Sequence, residues 1–417
     1  MNSLVYWIWL SLACTPDTPT FAKLISSFDT AEEIYSAEDR EIRACIGAKT
    51  SDCAKLLNKD LSRAEEIYNF CVTKQIGILT YDDENFPITL RDIPTPPVLL
   101  YYRGHLPDFT SSFRCAVVGT RLLSQYGRKN AFSLGYDLAS AGAIVVSGMA
   151  LGIDSVALAG ALSAGGTTVA VIGSGIDVCY PIQHKKLARE IVKRGCVFTE
   201  YAPGTKPERF NFPRRNRLIS GLCAATVVVE GKESSGSLIT ARHAFSQGRT
   251  VYAVPGNVGD PGSQVSNLLL KNGAKVCTSA DDIVNDFEKI YLGKLNPFTM
   301  PERLPVNMMN VLREYEIGCV TPSDDIFRAP KANKPQNNEA QNAINKKLDD
   351  ATAPEPTSFD KQTLKLYKRI PADTDCSIED LVDDENDLRS VTRLLLKLEM
   401  GRFIKMLPGD RVMRNIK

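Results

Sequence analysis

The feature that most constrains the fold is a regular alternation of short apolar runs and helical segments from residue 114 onward. The apolar runs are rich in Val, Ile and Ala, a pattern typical of parallel strands that are buried on both faces. Helices between successive strands indicate an α/β fold with a doubly wound, mostly parallel sheet. The predicted strands are 115–118, 143–146, 168–172, 196–199, 225–229, 250–254 and 275–277, with helices at 126–141, 154–164, 184–193, 238–246 and 263–271.

The α/β pattern occupies the middle of a chain of 417 residues, which has room for several domains. Apolar spacing predicts a helical domain over residues 1–75 and the α/β domain over 76–296. Residues 297–356 are rich in Pro, Asn, Lys and Gln and predict a disordered linker. Residues 357–417 predict three helices and a hairpin with a Pro-Gly turn, which is typical of a winged-helix domain.

Composition limits the kind of partner and the compartment. The net charge is only +1, so any affinity for nucleic acid must come from a local patch. The 11 cysteines are scattered singly and only 3 histidines occur, so we expect no structural zinc. Unpatterned cysteines suit a reducing cytoplasm, and no apolar run reaches the about 20 residues of a membrane helix. We therefore expect a cytoplasmic protein without a membrane anchor.

Small residues follow several of the predicted strands. In a doubly wound sheet, ligands bind outside the carboxyl ends of the strands, where helix N-termini offer unpaired N–H groups to anions. Each such turn alone is weak evidence, because βα turns contain Gly or Ser for steric reasons. The turn residues in question are Gly119, Ser147, Gly148, Gly173 and, at the head of a helix, Ser235, Gly236 and Ser237.

A basic segment precedes the fifth strand of the α/β region and is predicted to be a loop. Arginine forks pair with phosphate oxygens two bonds at a time, and a phenylalanine ring offers a face to an unstacked base. A solvated basic loop is the alternative, but the aromatic residues Phe210 and Phe212 favour a binding role. The candidate residues are Arg209, Phe212, Arg214, Arg215, Asn216 and Arg217.

Several catalytic classes lack their motifs. No third glycine follows Gly173 and Gly175 at dinucleotide-binding spacing, no phosphate-loop lysine occurs, and no carboxylate cluster suggests a two-metal nuclease. We therefore expect no cofactor and no enzyme activity. Two alternatives stay open: a nucleotide-processing hydrolase using Asp154 or Glu230, or a scaffold whose basic loop docks an acidic partner. Asp154 is expected to cap its helix and Glu230 to orient nearby arginines.

The motifs at residues 119–121, 147–154, 211–221, 235–241 and 255–257 together resemble the bacterial DNA-processing protein A family, DprA or Smf, over roughly residues 80–285. The resemblance implies a Rossmann-like core, a small N-terminal helical (SAM-like) domain and a C-terminal winged helix. It also implies a homodimer that binds single-stranded DNA and loads the RecA recombinase, as in natural transformation. The apolar face of the 263–271 helix (Val265, Leu268 and Leu269) is the expected dimer contact.

The resemblance also assigns roles to individual residues. Arg121 corresponds to the arginine of the Gly-Ser/Thr-Arg motif that contacts a phosphate, Arg209 to a basic contact, and Phe212 to an aromatic that stacks on a base. Residues 215–217 form the Arg-Asn-Arg element. Departures are Leu151, where the family usually has arginine, and residues 16–20, which replace a Gly-x-Gly hairpin. Acidic residues around the middle helix of the tail favour a protein-docking role for that domain.

The nucleic-acid-binding residues predicted from the sequence are therefore Gly119, Arg121, Ser147, Gly148, Gly173, Arg209, Phe212, Arg214, Arg215, Asn216, Arg217, Ser235, Gly236 and Ser237.

Overall fold

The computed structural model divides the chain into two compact units, Met1–Phe327 and Arg328–Lys417. It describes residues 2–233, 235–295 and 306–317 of the first unit. Of the second unit it describes 361–371, 376–377, 379–381, 391, 394–395, 398, 404–407 and 411–414.

The first unit begins with a cluster of short helices. The first of them is almost wholly apolar, and it buries Trp7, Ile8 and Leu10. A helix that is apolar all round belongs in a core, so it forms the centre of the cluster. The side chain of Asn2 caps it by accepting a hydrogen bond from the Leu4 N–H. The helices are α1 (Ser3–Ala13), α2 (Thr20–Ile25), α3 (Ala31–Ser36), α4 (Asp39–Ile46), α5 (Cys53–Leu57) and α6 (Ser62–Thr73).

The described residues that follow form a nine-stranded sheet. Its strands are β1 (Gly77–Thr80), β2 (Leu99–Gly104), β3 (Arg114–Val118), β4 (Ile144–Ser147), β5 (Thr168–Val171), β6 (Cys196–Thr199), β7 (Ala225–Val228), β8 (Thr250–Ala253) and β9 (Lys275–Val276). Their order is β1-β2-β6-β5-β4-β3-β7-β8-β9, and β3 to β9 run parallel. The prediction of a mostly parallel α/β sheet is confirmed.

The edge hairpin of β1 and β2 was missed by the sequence analysis. β2 pairs antiparallel with β6, with Tyr102 opposite Phe198, and β1 pairs antiparallel with β2. The apolar run 98–102 was a usable signal, but the prolines just before it indicated a connector.

Helices cover both faces of the sheet and create two apolar cores. They are α7 (Ile88–Arg91), α8 (Gln125–Ser140), α9 (Ile153–Ser163), α10 (Lys185–Arg194), α11 (Asn211–Gly221), α12 (Gly236–Ser246), α13 (Gln264–Lys271) and α14 (Asp281–Phe287). Side chains alternate across a strand, so Cys115 and Val117 join the core under α8 and α9, whereas Ala116 and Val118 join the core under α11, α12 and α13.

The expected dimer contact on α13 is largely internal. Val265 and Leu269 are buried in the core, and only Leu268 is exposed, at 38%. The prediction of an intermolecular apolar face is therefore wrong for Val265 and Leu269, because that face of α13 packs on the sheet.

The predicted linker contains a helix. Helix α15 (Met308–Glu314) contacts α9, and Leu312 and Ile317 are buried in the same core as α9. The prediction of disorder is wrong for this helix because its apolar residues have a partner surface. Residues 297–305 and 318–356 of that prediction lie outside the described residues.

The second unit contains helix α16 (Lys361–Arg369) and strands β10 (Cys376–Ser377), β11 (Ile404–Leu407) and β12 (Arg411–Arg414). The strands form an antiparallel sheet in the order β10-β12-β11. Ile370, Leu395 and Val412 are among the residues of its buried core. The winged-helix assignment stays a prediction, because most of the predicted helix 388–399 lies outside the described residues.

Within the described part of the chain, no helix has the length and apolar character needed to cross a membrane.

Candidate nucleic-acid interface

The arginine-rich segment is a helix and not a loop, which corrects the sequence prediction. Helix α11 spans Asn211–Gly221, and Pro213 lies in its first turn, where a missing N–H is tolerated. Leu218 and Ile219 are buried against the sheet. Successive helical residues point about 100° apart, so the arginines of this segment face different surroundings.

Arg217 faces the interior and forms an ion pair. It is 1% exposed, and its Nη1 and Nη2 donate to Oε1 and Oε2 of Glu200, each at 2.7 Å. Its Nε donates to the carbonyl of Thr95 at 2.9 Å. Burial lowers the pKa of Arg217, but the nearby Glu200 carboxylate outweighs it, so the pKa is raised. All three nitrogens of the Arg217 guanidinium therefore donate to acceptors within the protein, which disfavours the predicted phosphate contact.

Arg215 is also buried, at 4% exposure. Its Nη1 donates to the carbonyl of Gly148 at 2.9 Å and to the carbonyl of Val171 at the end of β5. Burial lowers the pKa of Arg215 to about 10, while the carboxylate of Asp154 acts in the opposite direction. Burial likewise raises the pKa of Asp154, and Arg215 opposes that shift. The two oppositely charged side chains are thus a buried pair that is coupled through charge, with Gly148 between them, rather than a direct ion pair.

The buried pair explains Gly148 and corrects the expected role of Asp154. A Cβ at Gly148 would lie 2.6 Å from Nη2 of Arg215 and 2.7 Å from Oδ2 of Asp154. Asp154 does not cap α9, whose N-cap is Gly152; its Oδ2 instead accepts from the N–H of Gly148 at 3.1 Å. Gly148 is therefore small to admit the pair rather than to approach a ligand.

Two further predicted site residues have structural roles. Ser147 is fully buried, and its Oγ donates to the carbonyl of Val117 at 2.7 Å. A Cβ at Gly119 would lie 2.5 Å from Cγ1 of Ile153. Packing between β3, β4 and α9 therefore accounts for the small residues at both positions, and the Ser147 hydroxyl is occupied within the protein. Approach of a ligand to the backbone of Gly119 stays a prediction.

The aromatic crevice is defined here by Arg121, Gly173, Tyr180 and Phe212. Phe212 is half-buried, and its ring lies over Gly173, where a Cβ would be 3.1 Å from the ring edge. The ring centroids of Tyr180 and Phe212 are 5.5 Å apart, and the guanidinium carbon of the exposed Arg121 lies 5.4 Å from the Phe212 centroid. Sequence reasoning missed Tyr180, although an aromatic directly before a proline after β5 was a usable signal.

A second basic and aromatic pair lies at the N-terminus of α11. Phe210 is 57% exposed, and the guanidinium carbon of Arg214 lies 5.3 Å from its ring centroid. Arg209 is exposed as well. The chain thus presents Arg209, Phe210 and Arg214 beside the crevice.

Asn216 joins this region to the N-terminus of α12. Its Nδ2 donates to the carbonyl of Gly236 at 3.3 Å. Ser235 caps α12 by accepting from the N–H of Ser237, and the two hydroxyls are 2.8 Å apart. Ser237 is buried, whereas Gly236 is exposed. The structure therefore brings these four predicted residues together, with the Ser237 side chain turned inward.

The topological switch point of the sheet lies between β3 and β7, where the chain leaves one side of the sheet for the other. Glu230, just after β7, fills this position and is 5% exposed. Its carboxylate accepts from the N–H of Ser124 at the N-terminus of α8, at 3.0 Å. Its carbonyl accepts from the N–H of Thr120 at 2.8 Å. These partners are main-chain groups, so the expectation that Glu230 orients arginines is wrong.

The geometry defines a class of protein: a doubly wound α/β protein with a basic and aromatic crevice at the carboxyl edge of its sheet, and a switch point closed by its own carboxylate. The family model described as DNA recombination-mediator protein A matches residues 77–288, half of the chain. The chain belongs to this DprA/Smf family.

Known relatives support the assignment. The DNA processing protein DprA of Streptococcus pneumoniae is 43% identical over 206 residues, which cover 49% of this chain and 72% of that protein. DprA of Bacillus subtilis is 37% identical over 223 residues, covering 54% of this chain and 75% of that protein. The crystal structure of the pneumococcal protein aligns with a TM-score of 0.60 and 34% identity, covering 69% of this chain and 98% of that one.

We predict that Arg217→Ala lowers stability by about 3–5 kcal/mol, because it leaves the Glu200 carboxylate buried without its partner. Urea denaturation measures this change. The matched control is Arg209→Ala, which removes an exposed arginine and should change stability by less than about 0.5 kcal/mol. Equal midpoints for Arg217→Ala and the parent would contradict the structural role assigned to Arg217.

Proposed function

We propose that this protein binds single-stranded DNA along the carboxyl edge of its sheet and acts as a recombination mediator. The observation that carries the proposal is the aromatic crevice, in which the half-buried ring of Phe212 lies beside the guanidinium of Arg121 and the ring of Tyr180. A base in a duplex is stacked and paired, whereas a base in a single strand can stack on an aromatic side chain. Arg209 and Arg214 lie along the chain just before and just after Phe212, where phosphates of such a strand can pair with them.

The environment of the two acids disfavours the hydrolase alternative. Catalysis needs an acid or base that can reach the reacting atoms. The carboxylate of Asp154 is buried with Arg215 and accepts main-chain hydrogen bonds. Glu230 occupies the place at the switch point where a nucleotide phosphate would bind. A binding protein accounts for both arrangements without a catalytic group.

The proposed phosphate contacts can be tested one arginine at a time. Arg121→Ala and Arg209→Ala should each weaken binding to every single-stranded sequence about equally, because phosphates carry no sequence information. If Arg121, Arg209 and Arg214 each pair with one phosphate, the log–log salt slope of the parent should be near −2, and each variant should lose about 0.7 of it. Fluorescence anisotropy over a salt series measures both values. A parent that binds duplex DNA or nucleotides better than single strands would refute the proposed function.

Base stacking gives a separate prediction. Phe212→Ala should cost about 1–3 kcal/mol of binding free energy while leaving the salt slope nearly unchanged, because it removes a stacking surface and no charge. Phe212→Tyr keeps a stacking ring and should bind within about twofold of the parent. If Phe212→Ala binds as tightly as Phe212→Tyr, bases do not stack at this position.

We further propose that the protein forms a homodimer and loads RecA onto the bound strand, as the family resemblance implies. Exposed Leu268 on α13 and Val276 on the edge strand β9 are candidates for the contact between copies. Light scattering should report a dimer at micromolar concentration, and RecA filaments should assemble faster on strands covered by single-strand-binding protein when this protein is present. A monomer, or unchanged RecA assembly, would count against this part of the proposal.

A further inference from the structure

A second cleft, of about 660 Å³, opens between α10, the segment that follows β5, and the end of α15. Apolar residues such as Ile172, Ile176, Val178 and Val197 make up part of its lining. The charged lining comes mainly from α10, which contributes Lys185, Lys186, Arg189 and Lys193 but also Glu190, and Asp177 adds a second carboxylate. A cleft with apolar walls and cations at its rim can hold a base against the walls and pair phosphates with the cations.

The cleft is a direct neighbour of the aromatic crevice. Ile172 lines both. The chain between β5 and α10 separates them, with Val178 and Cys179 lining the cleft and Tyr180 and Pro181 lining the crevice. A strand that leaves the crevice past Tyr180 therefore reaches the cleft without crossing the sheet.

The cations of α10 are arranged as a row. Lys185, Arg189 and Lys193 are spaced four residues apart, which places them on one face of the helix, and all three are exposed. Lys193 is paired with Glu190 of the same helix at 2.5 Å. Lys185 and Arg189 are the members of the row nearest to the N-terminus of α10.

Acidic side chains at the end of α15 and just after it lie at the rim of the cleft. Glu316, just after α15, pairs with Lys186 at 2.6 Å, and Glu314 of α15 lines the cleft. The side chains of Lys186 and Glu316 are 56% and 47% exposed, and ion pairs with such exposure contribute little to stability. A phosphate, which carries similar charge and more acceptor oxygens, can replace such a carboxylate.

We propose that the cleft is a second subsite for the same single strand, and that the carboxylates of Glu314 and Glu316 compete with phosphates for its cations. The inference rests on the proposed function, because the strand reaches the cleft from the aromatic crevice. The second subsite makes the affinity depend on strand length. A short strand fills the crevice alone, and a longer strand also displaces the acidic residues from the rim of the cleft.

The test is a titration of the full chain with thymidine strands of about 4, 8 and 16 nucleotides, the range over which single-strand binding modules differ in site size. The double variant Lys185→Ala/Arg189→Ala should bind the shortest strand as the parent does. It should bind the longest strand about threefold to tenfold more weakly, with a salt slope smaller by about 1.4, or about 0.7 for each lost contact. The matched control, Lys23→Ala/Lys49→Ala, removes two exposed lysines, one on α2 and one in the turn between α4 and α5, and should match the parent at every length.

A second variant tests the competition. Glu314→Gln/Glu316→Gln should strengthen binding of the longest strand about threefold, because it removes two competing charges while keeping similar side-chain size. Unchanged affinity of this variant would overturn the competition, and parent-like binding of all lengths by Lys185→Ala/Arg189→Ala would overturn the subsite. Equal losses at all three lengths would also overturn it, because these residues would then act in the crevice. A parent that binds no strand of any length would instead refute the proposed function.

Discussion

The candidate interface depends on the buried pair of Arg215 and Asp154. Arg215, on α11, donates to the carbonyl of Val171 at the end of β5 and to the carbonyl of Gly148 just after β4. Asp154, on α9, accepts from the N–H groups of Gly148 and Ala150 in the turn after β4. One guanidinium therefore fixes the relative positions of two strands and two helices. A buried charge that loses its partner is strongly destabilising, so this arrangement tolerates little variation. The partly buried groups beside it, Phe212 and Arg214, take their positions from the same helix, α11.

The fold was largely predictable, because strands buried on both faces leave near-continuous apolar runs in the sequence. Residues 115–118 and 225–229, for example, agree closely with β3 and β7. The edge hairpin was not predictable in the same way, since the prolines before Leu99 are typical of a connector. Helix α15 was missed because it is short and follows a polar, proline-containing stretch, and its partner surface on α9 is invisible in a local pattern.

The site was predictable in composition but not in the direction of its side chains. Three arginines in four residues all face solvent only if the segment is a loop. The apolar residues Leu218 and Ile219, which pack on the sheet, were the sign of a helix in the sequence. Once α11 forms, Arg214 stays near the surface while Arg215 and Arg217 turn inward to Asp154 and Glu200. Gly148 and Ser147 could not be assigned from the sequence for a similar reason. A small residue at the end of a strand can make room either for a ligand or for a neighbouring side chain.

Glu230 has a consequence for how such a protein would behave in a living cell. Many sheets of this kind leave the switch point open and bind adenine nucleotides there, so their activity follows the energy or redox state of the cell. Here the carboxylate of Glu230 accepts a hydrogen bond from the N–H of Ser124 at the N-terminus of α8. Abundant metabolites that carry phosphate groups have no vacant place at that point of the sheet. Under the proposed function, a single strand at the neighbouring edge would not share the switch point with a nucleotide.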